Sequence, residues 1–159
     1  MDKLLKLIDQ DGKLTAGQLA AMLSLSEKEV SERLEKFEKN GTLKGTKAII
    51  NWEKVTDEYV TALIELKVTP KRDLGFDGIA REIAAFPNVE SVYLMSGAYD
   101  LSVTVTGKSF QEIAMFVASR LSTIDSVQST STCFVLKKYK HLHVDFCDEQ
   151  TDERGSVSF

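Results

Sequence analysis

Apolar residues recur along the chain with two different spacings, and the change falls near residue 59. Before it the spacing is helical. Leu4, Leu5 and Ile8 form one stripe, which Gly12 ends. Thr15 followed by Gln18 fits a capping box, and it predicts a second helix with Leu19 and Met22 on its buried side. Leu23-Ser24-Leu25 reads as a tight turn. Ser26 with Glu29 is another capping box, and Val30, Leu34 and Phe37 follow at i, i+4 and i+7. Asn40-Gly41 closes that third helix, because glycine tolerates the left-handed conformation there. Two short helices joined by a tight turn describe a helix-turn-helix. Gly45 then divides Thr42-Leu43-Lys44 from Lys47-Ala48-Ile49-Ile50, which predicts a small β-hairpin, or wing.

From residue 59 the alternation is that of strands. Val60, Ala62, Ile64, Leu66 and Val68 point one way. Residues 74–86 return to helical spacing through Phe76, Ile79, Ala80 and Ile83, and Pro87-Asn88 stops them. Val89–Met95 is strand-like, Ser96-Gly97-Ala98 is a turn, and Leu101, Val103 and Val105 alternate with Ser102, Thr104 and Thr106. Ser109 with Glu112 is a third capping box, opening a helix whose stripe is Phe110, Ile113, Ala114, Val117 and Leu121. A last long strand is expected over 125–139. The order βαββαβ is the ferredoxin-like split βαβ, with an antiparallel sheet and both helices on one face. Its other face would carry Thr61, Leu63, Glu65, Ser102, Thr104 and Thr106, and a partner covering it implies a dimer.

The fold class is thus α+β: a winged helix-turn-helix followed by a ferredoxin-like βαββαβ domain. The expected divisions are a DNA-binding head at 1–51, a linker at 52–58, a ligand-binding and oligomerisation domain at 59–140, and a tail at 141–159 with little fixed structure after Cys147. No apolar run reaches the roughly 20 residues of a membrane span, and the N-terminus lacks a secretory core, so a cytoplasmic location is expected. The two cysteines, Cys133 and Cys147, form no CxxC and read as reduced thiols. A net charge of −4 excludes indiscriminate nucleic-acid binding. Residues 1–51 hold nine basic and eight acidic side chains, so the negative balance sits in the second half.

These segments together resemble the Lrp/AsnC family of leucine-responsive regulators. The resemblance is carried by LTAGQLAAMLSLSEKEVSERLEKFEKNGTLKG at 14–45, VESVYLMSGAYDLSVTV at 89–105 and VQSTSTCFVLKKYK at 127–140. The SGxYD turn between the second and third strands is the most specific of them. The resemblance implies operator DNA bound through the third helix and dimers formed through the sheet, which often assemble further, commonly to octamers. It also implies an amino-acid effector bound between dimers near the SGxYD turn, and a regulator rather than an enzyme.

A recognition helix turns its first turns to the bases, while lysines, arginines and helix N-termini grip phosphate. Ser26, Lys28, Ser31 and Arg33 are the candidate DNA contacts on the third helix, with Lys44 and Lys47 on the wing. Capping and solvation explain the same residues without DNA. The helix offers five glutamates against four bases, and Glu29–Arg33, Glu32–Lys36 and Glu35–Lys39 are spaced as i,i+4 pairs. This neutrality departs from the family's more basic surface. It leaves open an alternative: a metabolite-binding oligomer with weak or lost DNA binding.

For an effector, Met95, Ser96, Gly97, Ala98, Tyr99 and Asp100 form the candidate site. Backbone N–H groups of the turn suit a carboxylate. Gly97 would permit the backbone angles, Asp100 could pair with an ammonium, and Tyr99 supplies a wall. An ordinary hairpin turn with a locally bonded Asp explains the spacing equally. Thr130 and Thr132 on the last strand match polar positions of the family.

His141, His143, Asp145 and Cys147 alternate, so on one strand all would share a face of possible zinc ligands. A strand that buries Leu142, Val144 and Phe146 explains the same pattern, and no metal is expected. No P-loop, GxGxxG or GxSxG occurs, no catalytic set is found, and no cofactor is expected.

Overall fold

The computed structural model describes residues 2–56, 58–70 and 75–147. The chain divides into two compact units, Met1–Ile50 and Asn51–Phe159.

The first unit is three helices: α1 (Lys3–Gln10), α2 (Ala16–Leu23) and α3 (Glu27–Lys39). Each begins at a side chain that satisfies an otherwise orphaned amide. Asp2 Oδ1 accepts from the Leu4 N–H at 2.8 Å. Both capping boxes expected in this unit form, Thr15 with Gln18 and Ser26 with Glu29. Ser24 takes the left-handed conformation, at φ 53°, and so makes the tight turn before α3. Leu4, Leu19, Ala20 and Val30 are buried, with Leu7, Ile8, Leu23, Leu25, Leu34 and Phe37 packed around them.

Met22 does not join this core and is 59% exposed. The inward arc of α2 runs through Ala16, Leu19, Ala20 and Leu23, and Met22 stands more than a quarter-turn away. The expected wing hairpin is also absent: residues 42–50 contain no strand. The amides of its first arm turn back on the helix. The Thr42 N–H is held by Asn40 Oδ1 at 3.0 Å, and the Leu43 N–H by the Phe37 carbonyl at 3.0 Å. They are not offered to a second arm.

Glu29 connects this architecture to pH. Its Oε2 accepts from the Ser26 N–H at 2.9 Å and from the Ser26 hydroxyl at 2.7 Å. These bonds, then the Arg33 charge, hold its carboxyl below the usual glutamate range despite a small opposing cost of burial. A lowered folded pKa means the box is fully present above the unfolded pKa and is lost as pH falls through the folded one. Amide exchange measured across an acid titration is expected to speed up at Ser26 and Glu29 below the ordinary glutamate range, and Glu29→Gln is expected to flatten that response.

The second unit contains β1 (Val60–Val68), α4 (Gly75–Ala84), β2 (Val89–Leu94), β3 (Leu101–Gly107), α5 (Phe110–Phe116) and β4 (Val127–Phe134). A π-helical turn, Val117–Leu121, continues α5. Only half of the capping box expected at the start of α5 forms: Ser109 Oγ accepts from the Glu112 N–H at 3.1 Å, but the Glu112 carboxylate accepts from the Lys108 N–H instead of that of Ser109. The sheet order is β2-β3-β1-β4 with every pair antiparallel, which is the ferredoxin-like arrangement. Ala62, Ile64, Leu66 and Val68 of β1 and Leu101, Val103 and Val105 of β3 form the buried face. Ile79 and Ile83 of α4, with Ile113, Val117 and Leu121, cover it. The opposite face leaves Leu63 at 44% and Tyr93 at 60% exposed among half-buried Glu65, Ser102, Thr104 and Thr106. Thr61, expected there in the open, is buried.

β4 is shorter than the predicted 125–139. It ends at Phe134 because β1 supplies its partners and begins at Val60; the last link is Val135 N–H to the Thr61 carbonyl at 2.9 Å. Beyond it the chain folds back. β5 (Lys140–His141) and β6 (Val144–Asp145) pair across Leu142 and His143, both at positive φ (46° and 67°). That two-residue turn replaces the single strand predicted from alternation. Leu142 and Val144 stay exposed rather than buried, and His141, His143, Asp145 and Cys147 do not share one strand face. Among the described residues no three His, Cys, Asp or Glu side chains are grouped to hold a metal ion. The tail expected after Cys147 lies outside the described residues, as does residue 74 of the predicted helix.

Near the start of this unit Trp52 sits in a short 3-10 turn (Trp52–Lys54) and stacks on Tyr59, with centroids 5.6 Å apart at 27°. The Tyr59 hydroxyl donates to Glu90 at 3.2 Å. Burial, then the Glu90 charge, pushes the Tyr59 phenol above its usual range. No helix among the described residues is long and apolar enough to cross a membrane.

Candidate functional site

Two surfaces gather the residues singled out by the sequence. The first is the outer ridge of α3. Val30, Leu34 and Phe37 point into the trihelical core. Helical geometry then places Lys28, Glu32, Glu35 and Lys39, at i, i+4, i+7 and i+11, on the line opposite it. Two ion pairs occupy this ridge: Lys28–Glu32 at 3.9 Å and Lys39–Glu35 at 3.3 Å. All four side chains are at least two-thirds exposed, so each pair contributes only a few tenths of a kcal/mol. The ridge is electrically neutral.

The candidate DNA residues fall in different places. Lys28 lies on the ridge and Ser31 is exposed beside it. Ser26 is committed to its cap. Arg33 points to the side, where its guanidinium donates to Asp2 Oδ2 at 2.9 Å. Its partner is thus Asp2 rather than the expected Glu29, and the residue ties α3 to the start of α1. Lys44 folds back over the end of α3; a Cβ at Gly41 would lie 2.9 Å from its ammonium. That position suits a cation near a helix C-terminus. Lys47 is exposed.

The second surface is the turn between β2 and β3. Its base is closed by Met95 N–H to the Asp100 carbonyl at 2.8 Å, and Asp100 N–H reaches the Leu66 carbonyl at 3.0 Å. The Asp100 carboxylate accepts the Val68 N–H through Oδ2 at 2.9 Å, and Lys67 stands 3.4 Å from Oδ1. The Lys67 ammonium also donates to the Ala98 carbonyl at 3.3 Å. Asp100 therefore staples the turn to the end of β1, which is the local bonding that the spacing alone allowed. Ser96, Gly97 and Ala98 are exposed, Tyr99 is half-buried, and Met95 is 49% exposed. The N–H groups of Gly97, Ala98 and Tyr99 bond to no other described residue.

Gly97 does not take a positive φ, so the conformational reason expected for it is absent. A Cβ there would meet nothing within 4 Å, which leaves the space over the turn open to an approaching group. Thr130 pairs with Leu66, itself opposite Leu101, so it lies in the sheet row next to Asp100. Thr132 is two residue pairs further along, level with Ile64. Lys67 was missed from the sequence. A lysine ending an apolar strand looks like a solubilising surface residue, and only the register brings it to Asp100.

Comparison with known proteins matches each of the two units to a family model. Residues 61–144 match the model of the Lrp/AsnC ligand binding domain, and residues 3–44 match a winged helix-turn-helix DNA-binding model. The HTH-type transcriptional regulator YugG of Bacillus subtilis (strain 168) is 45% identical over 157 residues, covering 98% of this chain and 95% of that protein. A transcriptional regulator of Neisseria meningitidis, solved as a complex with L-Met, superposes with a TM-score of 0.71 at 25% identity, covering 89% and 93% of the two chains. The leucine response regulatory protein of Mycobacterium tuberculosis shares the fold, with a TM-score of 0.74 at 23% identity over 89% and 97%.

Proposed function

The chain belongs to the Lrp/AsnC family of transcription regulators, with a helix-turn-helix head and a ligand-binding domain, and from that premise we propose that an amino acid controls its hold on operator DNA. The observation that carries this reading is the stapled turn at 96–100. Three adjacent N–H groups without a partner among the described residues, beside the Lys67 ammonium, form a receptor for a carboxylate. Asp100 fixes Lys67 and the turn, and Met95 and Tyr99 offer apolar surface to a side chain. Thr130 and Thr132 contribute from the last strand. The Neisseria relative was solved with L-Met, which is the same class of ligand.

A second copy of the chain covers the open sheet face around Leu63 and Tyr93, and pairs of such dimers close the effector site between them, up to an octamer. Effector binding alters the presentation of the α3 helices to DNA; reciprocity requires that operator change effector affinity by the same factor. The protein acts in the cytoplasm.

The test is a thermal-shift screen of the full chain against the twenty amino acids, followed by operator binding with and without whichever raises the melting temperature. No shift with any of them would sink the amino-acid reading. Gly97→Ala sharpens it. A methyl group there meets none of the subunit's own atoms, so unliganded stability is expected to stay within about 0.5 kcal/mol of the parent. Effector affinity, measured by calorimetry, is expected to fall at least tenfold because the methyl occupies the approach to the turn. Unchanged affinity would remove the turn from the site.

The neutral ridge of α3 favours a second reading, a metabolite-binding oligomer with weak or lost DNA binding. Gel-shift titrations against DNA upstream of its own gene, at low and moderate salt, separate the two. A regulator of this charge is expected to bind with a shallow salt dependence, since few phosphates are neutralised. Absence of binding at low salt would favour the second reading.

A further inference from the structure

The ridge of α3 carries as many carboxylates as ammoniums where a polyanion is to dock. A glutamate near the duplex is repelled by phosphate at every sequence. That repulsion is offset only where a base edge supplies a donor. Resting on the DNA-binding reading above, we propose that Lys28 and Glu32 act as one unit that selects a C·G base pair, with Glu32 the specificity-determining residue.

The placement follows from the helix. The first turns of a recognition helix face the bases, and of the four ridge residues Lys28 and Glu32 are in those turns. Glu35 and Lys39 lie further along, toward the backbone. Of the other candidates on the helix, Ser26 is held in its cap and Arg33 is held by Asp2, while exposed Ser31 lies off the ridge line and carries no charge. Lys28 and Glu32 are 86% and 66% exposed, so nothing in the head shields them.

The chemistry selects the base pair. A carboxylate accepts and cannot donate, so it needs an amino group in the major groove. Cytosine N4 is such a donor, with no acceptor beside it on the same base. Adenine N6 has the N7 acceptor alongside, which repels a carboxylate, and thymine and guanine present acceptors. Lysine is the complement, a donor for guanine O6 and N7. In a C·G pair the amino donor and the O6 acceptor are hydrogen-bonded neighbours, about 2.9 Å apart. The ammonium and carboxylate of Lys28–Glu32 are 3.9 Å apart. One ion pair on the protein thus matches one donor–acceptor pair on the duplex edge, and docking exchanges partners without leaving a charge bare.

Selection of the full-length protein and of Glu32→Gln and Glu32→Ala from a randomised duplex library tests this. The parent is expected to enrich sites with a fixed C·G pair in each half-site, and T·A there to weaken binding roughly tenfold or more. Glu32→Ala is expected to bind duplexes lacking the C·G pair more tightly, to gain nothing at the C·G site, and so to discriminate less than about threefold at that pair. Glu32→Gln, able to both donate and accept, is expected to shift the preference toward A·T. An enriched site with no C·G position, or one that Glu32→Ala still reads, would overturn the assignment while leaving DNA binding intact. Binding of the library with no sequence enriched would overturn this assignment alone, whereas no binding of any duplex at low salt would overturn the DNA-binding reading, and this assignment with it. Since Glu32 is exposed and its partner is one flexible lysine, both variants are expected to fold as the parent does.

Discussion

Leu4→Ala is expected to unfold the N-terminal head while the sheet domain stays folded. Leu4 is fully buried, and among the described residues the core of the head has four buried apolar side chains, one of them an alanine. Truncating a buried leucine costs about 2–5 kcal/mol, counting the cavity it leaves. A unit of this size has a total stability of only a few kcal/mol, since small cores bury proportionately little surface. Most of that stability would be removed. The second unit has its own core of twelve buried residues and shares none of them with the head. Denaturation followed by helix circular dichroism is expected to split into two transitions, with operator binding lost and the ligand-induced thermal shift of the sheet domain kept. A single cooperative transition at lower denaturant would show instead that the units fold as one.

Asp100→Ala is expected to damage both the sheet domain and its ligand site. It leaves the Val68 N–H, on a residue only 5% exposed, without its carboxylate acceptor. Leaving a buried donor unpaired costs about 1–3 kcal/mol. It also frees Lys67 from the turn, so effector affinity should fall by an order of magnitude or more. Asp100→Asn separates these effects: its amide oxygen still accepts from Val68 but holds Lys67 weakly. Near-parental melting with weakened effector binding is the expected result for that variant, from scanning calorimetry and ligand titration together. Full effector affinity in Asp100→Ala would show that the staple has no part in the site.

The layout of elements was legible because it depends on local signals. Capping boxes at Ser26 and Thr15 and the alternation along Val60–Val68 reflect contacts within a few residues, and each formed as read. The sequence misled where the deciding partner was remote or the pattern was degenerate. Alternation over 141–147 suits a strand equally well whether it continues or doubles back, and the backbone of Leu142 and His143 decided it. The wing failed because Asn40 and Phe37 claimed the amides first. Arg33 had an acid four residues away but bonds one thirty-one residues away, Asp2, brought close by the packing of the helices. The candidate turn was visible as a motif. Its staple was not, because Lys67 and Val68 meet Asp100 only through strand register.

The stack of Trp52 on Tyr59 has a practical consequence. The chain has one tryptophan, so its ultraviolet emission reads a single place, just after the boundary between the two units. Tyr59 in turn reports through Glu90 on the strand leading to the turn at 96–100. An unlabelled sample thus carries its own optical gauge, and ligand or DNA that disturbs this stretch will register as a change in colour or brightness without any dye.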